Sequence, residues 1–276
     1  MKDQKIGFIG GGNMAHSLIG GLLNATATPD KLAVADPDEN CRKRIQQSFN
    51  VTTYSQNSDI ATRSDVIVLA VKPQVMRHAL HSIADVVKDK KPLLISIAAG
   101  VRIASIQKWL DAVVPIVRVM PNTPALVGSG ASALFANDAV TETQHGLAES
   151  ILRSVGVTAW VSDEALMDTV TALSGSGPAY FFYLMEALER GAIANGLDRQ
   201  TARLLTLETA FGSAKLALES QQAFSDLRCN VTSPGGTTEA AIRVLDDANA
   251  DQLINDALDA AKARSQELAE LFGEDS

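Results

Sequence analysis

The feature that most restricts this chain is a cluster of three glycines close to its start. Residues 10–15 read Gly-Gly-Gly-Asn-Met-Ala, a G-x-G-x-x-A pattern. An apolar run at 5–10 leads into it, and an amphipathic stretch at 14–23 follows, so it marks a strand-to-helix turn. Each small residue has a task there. Gly10 permits the tight turn, Gly12 lets the backbone approach a bound group with no Cβ in the way, and Ala15 lets the helix pack closely on the strand. The helix N-terminus then offers free N–H groups, which suit a pyrophosphate. Strand, loop and helix in this order point to a bound dinucleotide rather than a merely flexible turn.

The following residues fit that reading. Apolar runs at 32–36, 65–70, 92–97 and 116–120 are short, nearly continuous in hydrophobicity and bounded by polar or turn residues. Strands buried on both faces of a parallel sheet read this way. Helical stretches, such as 14–23 and 39–49, lie between them, and repeated strand–helix units imply a doubly wound parallel sheet. Runs at 131–135 and 158–161 predict further strands that end this part. Beyond residue 163 strand signals nearly vanish, and Ala- and Leu-rich stretches with helical spacing take over. They predict helices over 164–173, 178–195, 199–218, 224–230, 237–245 and 251–272, with Gly196 as a stop and Asp198 as an N-cap. The expected division is an α/β domain at 1–163 and an all-helical domain at 164–276.

Composition narrows the function classes. With 276 residues, 46% hydrophobic and 20% charged, the chain is neither disordered nor a disulfide-framed miniprotein. Its net charge of −8 argues against nucleic acid as a partner. Cys41 and Cys229 form no framework and match no zinc spacing, as in a reduced, intracellular protein. No apolar run approaches the roughly 20 residues of a membrane span. The first residues lead straight into a strand and leave no room for a targeting segment, so a cytoplasmic location is expected. His78 and His81 lie three apart on one predicted helix. Without carboxylate or cysteine companions they read as surface residues, and no metal site is expected.

The second apolar run ends at Asp36, roughly 20 residues past the loop, where an acid should meet the adenosine ribose. A carboxylate there favours NAD and repels the 2′-phosphate of NADP. Arg42, Lys43 and Arg44 follow on the next helix and offset that repulsion, unless they are simply a solvated face. The reduced cofactor is therefore NADPH or NADH, with the choice open.

Six segments then occur in order: 6–14 (IGFIGGGNM), 70–74 (AVKPQ), 96–100 (SIAAG), 118–124 (RVMPNTP), 172–180 (ALSGSGPAY) and 230–238 (NVTSPGGTT). Together they resemble the pyrroline-5-carboxylate reductases, enzymes of the last step of proline synthesis, across essentially the whole chain. The resemblance implies an N-terminal Rossmann-type domain binding NAD(P)H and an all-helical C-terminal substrate-binding and dimerisation domain. It also implies a homodimer or a higher homo-oligomer built from dimers. Carried over by position, Ile9, Gly10, Gly11, Gly12, Asn13 and Met14 line the pyrophosphate, Asp36 meets the ribose, and Asn57 stands where the family has a cofactor-contacting Asn. Ala70, Val71, Lys72 and Pro73, together with Ile97, Ala98 and Ala99, follow strand ends, where open α/β sheets bind ligands. Asn122, in the Met120–Pro124 segment, belongs beside the nicotinamide.

The implied reaction is hydride transfer to C5 of a cyclic imine that carries a carboxylate. The protein must hold that carboxylate, orient the ring and help protonate the imine nitrogen. The Gly-rich turn at 233–238 offers backbone N–H groups and the hydroxyls of Ser233, Thr237 and Thr238. A helix dipole contributes only about 0.3–2 kcal/mol, whereas even millimolar binding needs about 4 kcal/mol, so several hydrogen bonds must act together. On this reading Ser174, Gly175, Ser233, Gly236, Thr237 and Thr238 hold substrate, and Thr238 bonds the imine nitrogen and serves the proton transfer. The competing reading of the turn is a capping box, in which Thr238 and its neighbours only cap a helix. The family's usual Glu ahead of this turn is replaced by Gln221, which cannot carry charge. Tyr180, Phe181, Phe182 and Tyr183 read as core or dimer contact. The alternative function is a 3-hydroxyacid dehydrogenase or another imine reductase. The former's hallmark is a Lys on the first long helix of the second domain, and 178–184 contains none.

Overall fold

The computed structural model describes residues 4–25 and 27–273. These fall into two compact units, one formed by residues 1–176 with 260–276 and the other by 177–259.

The first unit is built on an eight-stranded sheet: β1 (Ile6–Ile9), β2 (Leu32–Ala35), β3 (Thr52–Tyr54), β4 (Val66–Leu69), β5 (Leu93–Ser96), β6 (Ile116–Met120), β7 (Gly130–Ala136) and β8 (Gly156–Trp160). Their order is β3-β2-β1-β4-β5-β6-β7-β8. The first six are parallel, in the 3-2-1-4-5-6 order of a dinucleotide-binding sheet. Helices α1 (Asn13–Ala25), α2 (Glu39–Phe49), α3 (Asn57–Arg63), α4 (Pro73–His81), α5 (Ala84–Lys90) and α6 (Ile103–Leu110) make the crossovers. Two apolar clusters explain why the strands read as unbroken hydrophobic runs. Phe8, Val68 and Ile95 point to the face packed by Leu18 and Leu22 of α1. Their neighbours Ile9, Leu69 and Leu94 point to the face packed by Met76 of α4 and Ile106 of α6. Each such burial contributes about 1.5–3 kcal/mol.

The sheet departs from a wholly parallel one at its end. β7 runs antiparallel to β6. Only residues 121–129 join the two, fewer than the dozen or more a parallel crossover requires, so the chain must turn back. α7 (Glu142–Arg153), opened by a Thr141/Gln144 capping box, then returns the chain to β8, parallel to β7. β3, a short edge strand opening on an exposed Thr52, is an element the sequence did not announce.

The segment expected to be a helix over 164–173 begins as α8 (Leu166–Val170) and widens into a π-helical turn at Thr171–Gly175, closed by Ser176 N–H donating to the Thr171 carbonyl at 2.8 Å. A buried ion pair fixes this segment's start to the sheet. Arg118 on β6 is 3% exposed. Its Nη1 donates to Glu164 Oε1 at 2.9 Å, and the same oxygen accepts the Ile103 N–H at 2.9 Å, satisfying the first turn of α6. Further on, Ser265 donates to the buried Asp168 at 2.7 Å.

The remaining helices are α9 (Gly177–Ala194), α10 (Arg199–Glu219), α11 (Phe224–Asn230), α12 (Thr237–Asp247) and α13 (Ala250–Gly273), close to expectation. Gly196 follows α9 at φ +102°, and Asp198 caps α10 by accepting from Thr201 N–H at 3.0 Å. Among the described residues of 177–259 only Gly177 and Ala202 are buried. Phe181, Phe182 and Tyr183 are all exposed, so within one chain they form no core. A groove of about 770 Å³ between α9 and α10 is lined by Phe181, Leu184 and Leu188 on one side and Ala210, Ala214 and Leu218 on the other. Leu218 is 87% exposed. So much exposed apolar surface with almost no interior marks an interface.

Candidate active site

The ligand edge of an open α/β sheet lies beyond the C-terminal ends of its strands, at the point where strand order reverses. Here that point lies between β1 and β4, and the glycine loop occupies it. Gly10 sits at φ +95° and donates to the Ala35 carbonyl at 2.8 Å; a Cβ there would come within 2.6 Å of the Ala70 carbonyl oxygen. Gly11 is clamped to the β2 side. Its N–H donates to Asp36 Oδ2 at 2.8 Å, and its carbonyl accepts from Arg44 Nη2 at 3.0 Å and from the Cys41 thiol at 2.9 Å. Gly12 differs from both: it is exposed, and a Cβ on it would meet nothing within 4 Å. Beside it, the N–H groups of the first turn of α1 find no acceptor among the described residues. Open space next to unpaired donors fits a dinucleotide pyrophosphate.

The other expected cofactor residues divide by accessibility. Ile9, Gly10, Gly11 and Ala98 are buried, so they shape the edge, whereas Gly12, Asn13, Lys72 and Ala99 are exposed on it. Met14, Ala70, Val71, Pro73 and Ile97 are half-buried there. Asn57 opens α3 and donates to Ser82 at the end of α4 at 3.0 Å. Asp36 holds the loop with one oxygen and accepts the Asp38 N–H with the other at 2.9 Å. Its carboxylate therefore builds the site as well as facing it.

The three basic residues of α2 separate cleanly. Lys43 pairs with Glu39 at 2.7 Å on an exposed face. Arg42 folds onto the carbonyls of Asp36 and Pro37 at 2.6 and 2.9 Å. Only Arg44 reaches the loop, where it also contacts Asn13 Oδ1 at 3.3 Å. Burial, joined by the Arg44 charge, holds the His16 imidazole below its ordinary pKa. Burial, reinforced by Asp36, pushes the Cys41 thiol up. Both groups stay neutral beside the loop at neutral pH. The sequence singled out neither as a neighbour of this site.

On the same edge, the end of β6 meets the π-helical turn. Asn122 Oδ1 accepts the Ala131 N–H at 2.9 Å, and its Nδ2 donates to Ser174 Oγ at 3.3 Å. A Cβ on Gly175 would run into Met120 Cε, so glycine is what allows this approach. The 118–124 and 172–176 segments, far apart in sequence, are thus held together.

The 233–238 turn belongs to the second unit. Gly235 is at φ +69°, and Gly236, the N-cap of α12, has no side chain to cap with. Glu239 reaches back to accept the Gly235 N–H at 2.8 Å. α12 has no side-chain cap, so the Thr238 hydroxyl does not cap this helix. Among the described residues, the hydroxyls of Ser233, Thr237 and Thr238 make no hydrogen bond. Gln221 is exposed; it is Gln222 that accepts from Asn230, at 2.9 Å, just ahead of the turn. His78 and His81 are exposed on α4, and no cluster of metal-ligating side chains occurs among the described residues.

A glycine loop at the switch point of a parallel sheet, followed by a helical unit without its own core, defines a dinucleotide-dependent oxidoreductase of the Rossmann type with a helical dimerisation domain. Two family models match the chain: NADP oxidoreductase, coenzyme F420-dependent, over residues 5–100, and pyrroline-5-carboxylate reductase dimerisation over residues 164–268. The pyrroline-5-carboxylate reductase of Pseudomonas aeruginosa is 45% identical over 274 residues, covering 99% of this chain and 100% of that one. Among solved structures, a pyrroline-5-carboxylate reductase from Coxiella burnetii superposes with a TM-score of 0.92 at 45% identity, covering 96% of this chain and 98% of its own. The Plasmodium falciparum enzyme, solved with NADP bound, gives 0.87 at 31% identity, covering 98% and 99%. The chain belongs to the pyrroline-5-carboxylate reductase family.

Proposed function

We propose that this enzyme reduces 1-pyrroline-5-carboxylate to L-proline with NADPH or NADH, the last step of proline biosynthesis. The observation that carries this reading is the pairing, on one sheet edge, of an open Gly12 beside unpaired N–H groups with the Ser174–Gly175 turn tied to the end of β6. The first suits a dinucleotide, and the second gives a small substrate a place next to it. When bound, the reduced nicotinamide supplies the hydride for C5 of the imine.

The chain's own groups do the rest. Gly10, Gly11, Gly12, Asn13 and Met14 receive the pyrophosphate, with Ile9 beneath them. Asp36 meets the adenosine ribose through the lone pairs its two backbone bonds leave free. Asn57, Ala70–Pro73, Ile97–Ala99 and Asn122 border the cofactor. Ser174, Gly175, Ser233, Gly236, Thr237 and Thr238 hold the substrate, whose carboxylate takes hydroxyl and backbone N–H donors. Thr238 hydrogen-bonds the imine nitrogen and passes it a proton, directly or through one water, as its hydroxyl is reprotonated from solvent. The unpartnered state of its hydroxyl supports this role, since nothing among the described residues competes for it. Residues 1–163 act as the dinucleotide-binding domain and 164–276 as the substrate-binding and dimerisation domain. The enzyme works as a homodimer or a larger homo-oligomer of dimers, in the cytoplasm. In support, the apolar surface of α9 and α10 needs a cover, and among the described residues no helix is long and apolar enough to cross a membrane.

The test is absorbance at 340 nm with purified protein, 1-pyrroline-5-carboxylate and each reduced nucleotide in turn. Loss of absorbance with proline formed is the expected result. No turnover on this substrate, with oxidation of a 3-hydroxyacid instead, would replace the reading. α9 contains no Lys for that second chemistry.

A further inference from the structure

The hydrogen bonds around Asn122 have a fixed direction. The Ala131 N–H can only donate, so the carboxamide oxygen must be the atom that faces it. The NH₂ group then faces Ser174 Oγ, and it too can only donate. Ser174 is thereby committed as an acceptor toward Asn122. Its own proton must point elsewhere, and no acceptor for it occurs among the described residues. The hydroxyl is half-buried, within reach of a ligand, and lies in a π-helical turn whose backbone is closed independently by the Ser176–Thr171 bond.

We propose that Asn122 is a positioning residue that presets the Ser174 hydroxyl as a donor for the substrate carboxylate. A carboxylate only accepts, so a hydroxyl whose proton is already turned outward meets it without reorientation. The chain Ala131 N–H, Asn122 carboxamide, Ser174 hydroxyl thus carries the polarity of a β7 backbone group to the substrate. The inference rests on the reading that Ser174 faces that carboxylate, and it gives the Asn122 side chain a part in substrate orientation in addition to its place at the cofactor border.

Asn122→Asp reverses the direction. Both carboxylate oxygens accept, so one keeps the Ala131 N–H and the other draws the Ser174 proton inward. The expected result is a rise in KM for 1-pyrroline-5-carboxylate of about ten-fold or more, the weight of one hydroxyl-to-carboxylate bond. That rise should match Ser174→Ala, and the double variant should be no worse than either single one. Asn122→Ala, which leaves the hydroxyl free to rotate, should fall between wild type and Asn122→Asp and add nothing in the Ser174→Ala background. NADPH affinity without substrate, read by fluorescence titration, should stay within about two-fold in Ser174→Ala, because a single lost bond to substrate does not touch the nucleotide. Wild-type KM in Asn122→Asp, or additive losses in the doubles, overturns the inference. If Asn122→Asp does not fold, the Asn122→Ala and Ser174→Ala cycle decides by the same criterion. If Ser174→Ala alone leaves KM unchanged, the placement of Ser174 against substrate is wrong, and the inference falls with it.

Discussion

Replacing Glu164 with alanine removes the carboxylate that pairs with a buried guanidinium, that of Arg118. The Arg118 side chain is 4% exposed and that of Glu164 23%, with 2.9 Å between Nη1 and Oε1. Stripping one partner from a buried pair leaves an uncompensated charge and costs about 3–5 kcal/mol. Water can reach the Glu164 side, so the lower end, about 3 kcal/mol, is expected. The lost acceptor for the Ile103 N–H is part of that figure. For a chain of this size each kcal/mol shifts the melting temperature by about 2–4 °C, which gives a drop of about 6–12 °C. Circular dichroism at 222 nm, at fixed protein concentration because the assembly contributes to stability, reads the shift. Glu164→Gln keeps an acceptor for Ile103 and should lose about half as much. Arg118→Met with Glu164→Leu removes both charges and should recover most of the loss. The reasoning is refuted if Glu164→Ala melts with the wild type, or if the losses of the two single substitutions simply add in the double.

Gly10→Ala forces a side chain into φ +95° with its Cβ 2.6 Å from a backbone oxygen. Dinucleotide affinity by titration should fall more than about ten-fold, since the positive φ alone costs about 1–2 kcal/mol and the clash adds to it; wild-type affinity would contradict this. Thr238→Ala should lower turnover by about 10- to 100-fold with nucleotide affinity little changed; unchanged turnover would mean the hydroxyl has no chemical role. With Cys229→Ser leaving Cys41 as the sole thiol, iodoacetamide at pH 8 should react more slowly than with a free thiol. The raised Cys41 pKa leaves less thiolate at any given pH, and a rate equal to glutathione's would rule that out.

Much was legible in the sequence because it is encoded over short distances. Strands buried on both faces must be apolar at every position, so β1, β4, β5 and β6 appear as runs. An i, i+3, i+4 pattern and a glycine stop set α9 and α10. The loop at 10–15 follows from steric demands on three residues. The reversal at β7 was also within reach, since the connection is too short for any crossover. β3 was not, because a short edge strand with an exposed start carries little hydrophobic signal.

What only the tertiary structure decided are the pairings between residues far apart in the chain. Nothing local tells that Arg44 touches the loop while Arg42 and Lys43 do not. Nor does spacing reveal that Glu164 neutralises Arg118, or that Asn122 holds Ser174. Hydrogen bonds and ion pairs depend on ångström-scale distances between side chains, and those distances are set by how the elements pack, not by the order in which the residues occur.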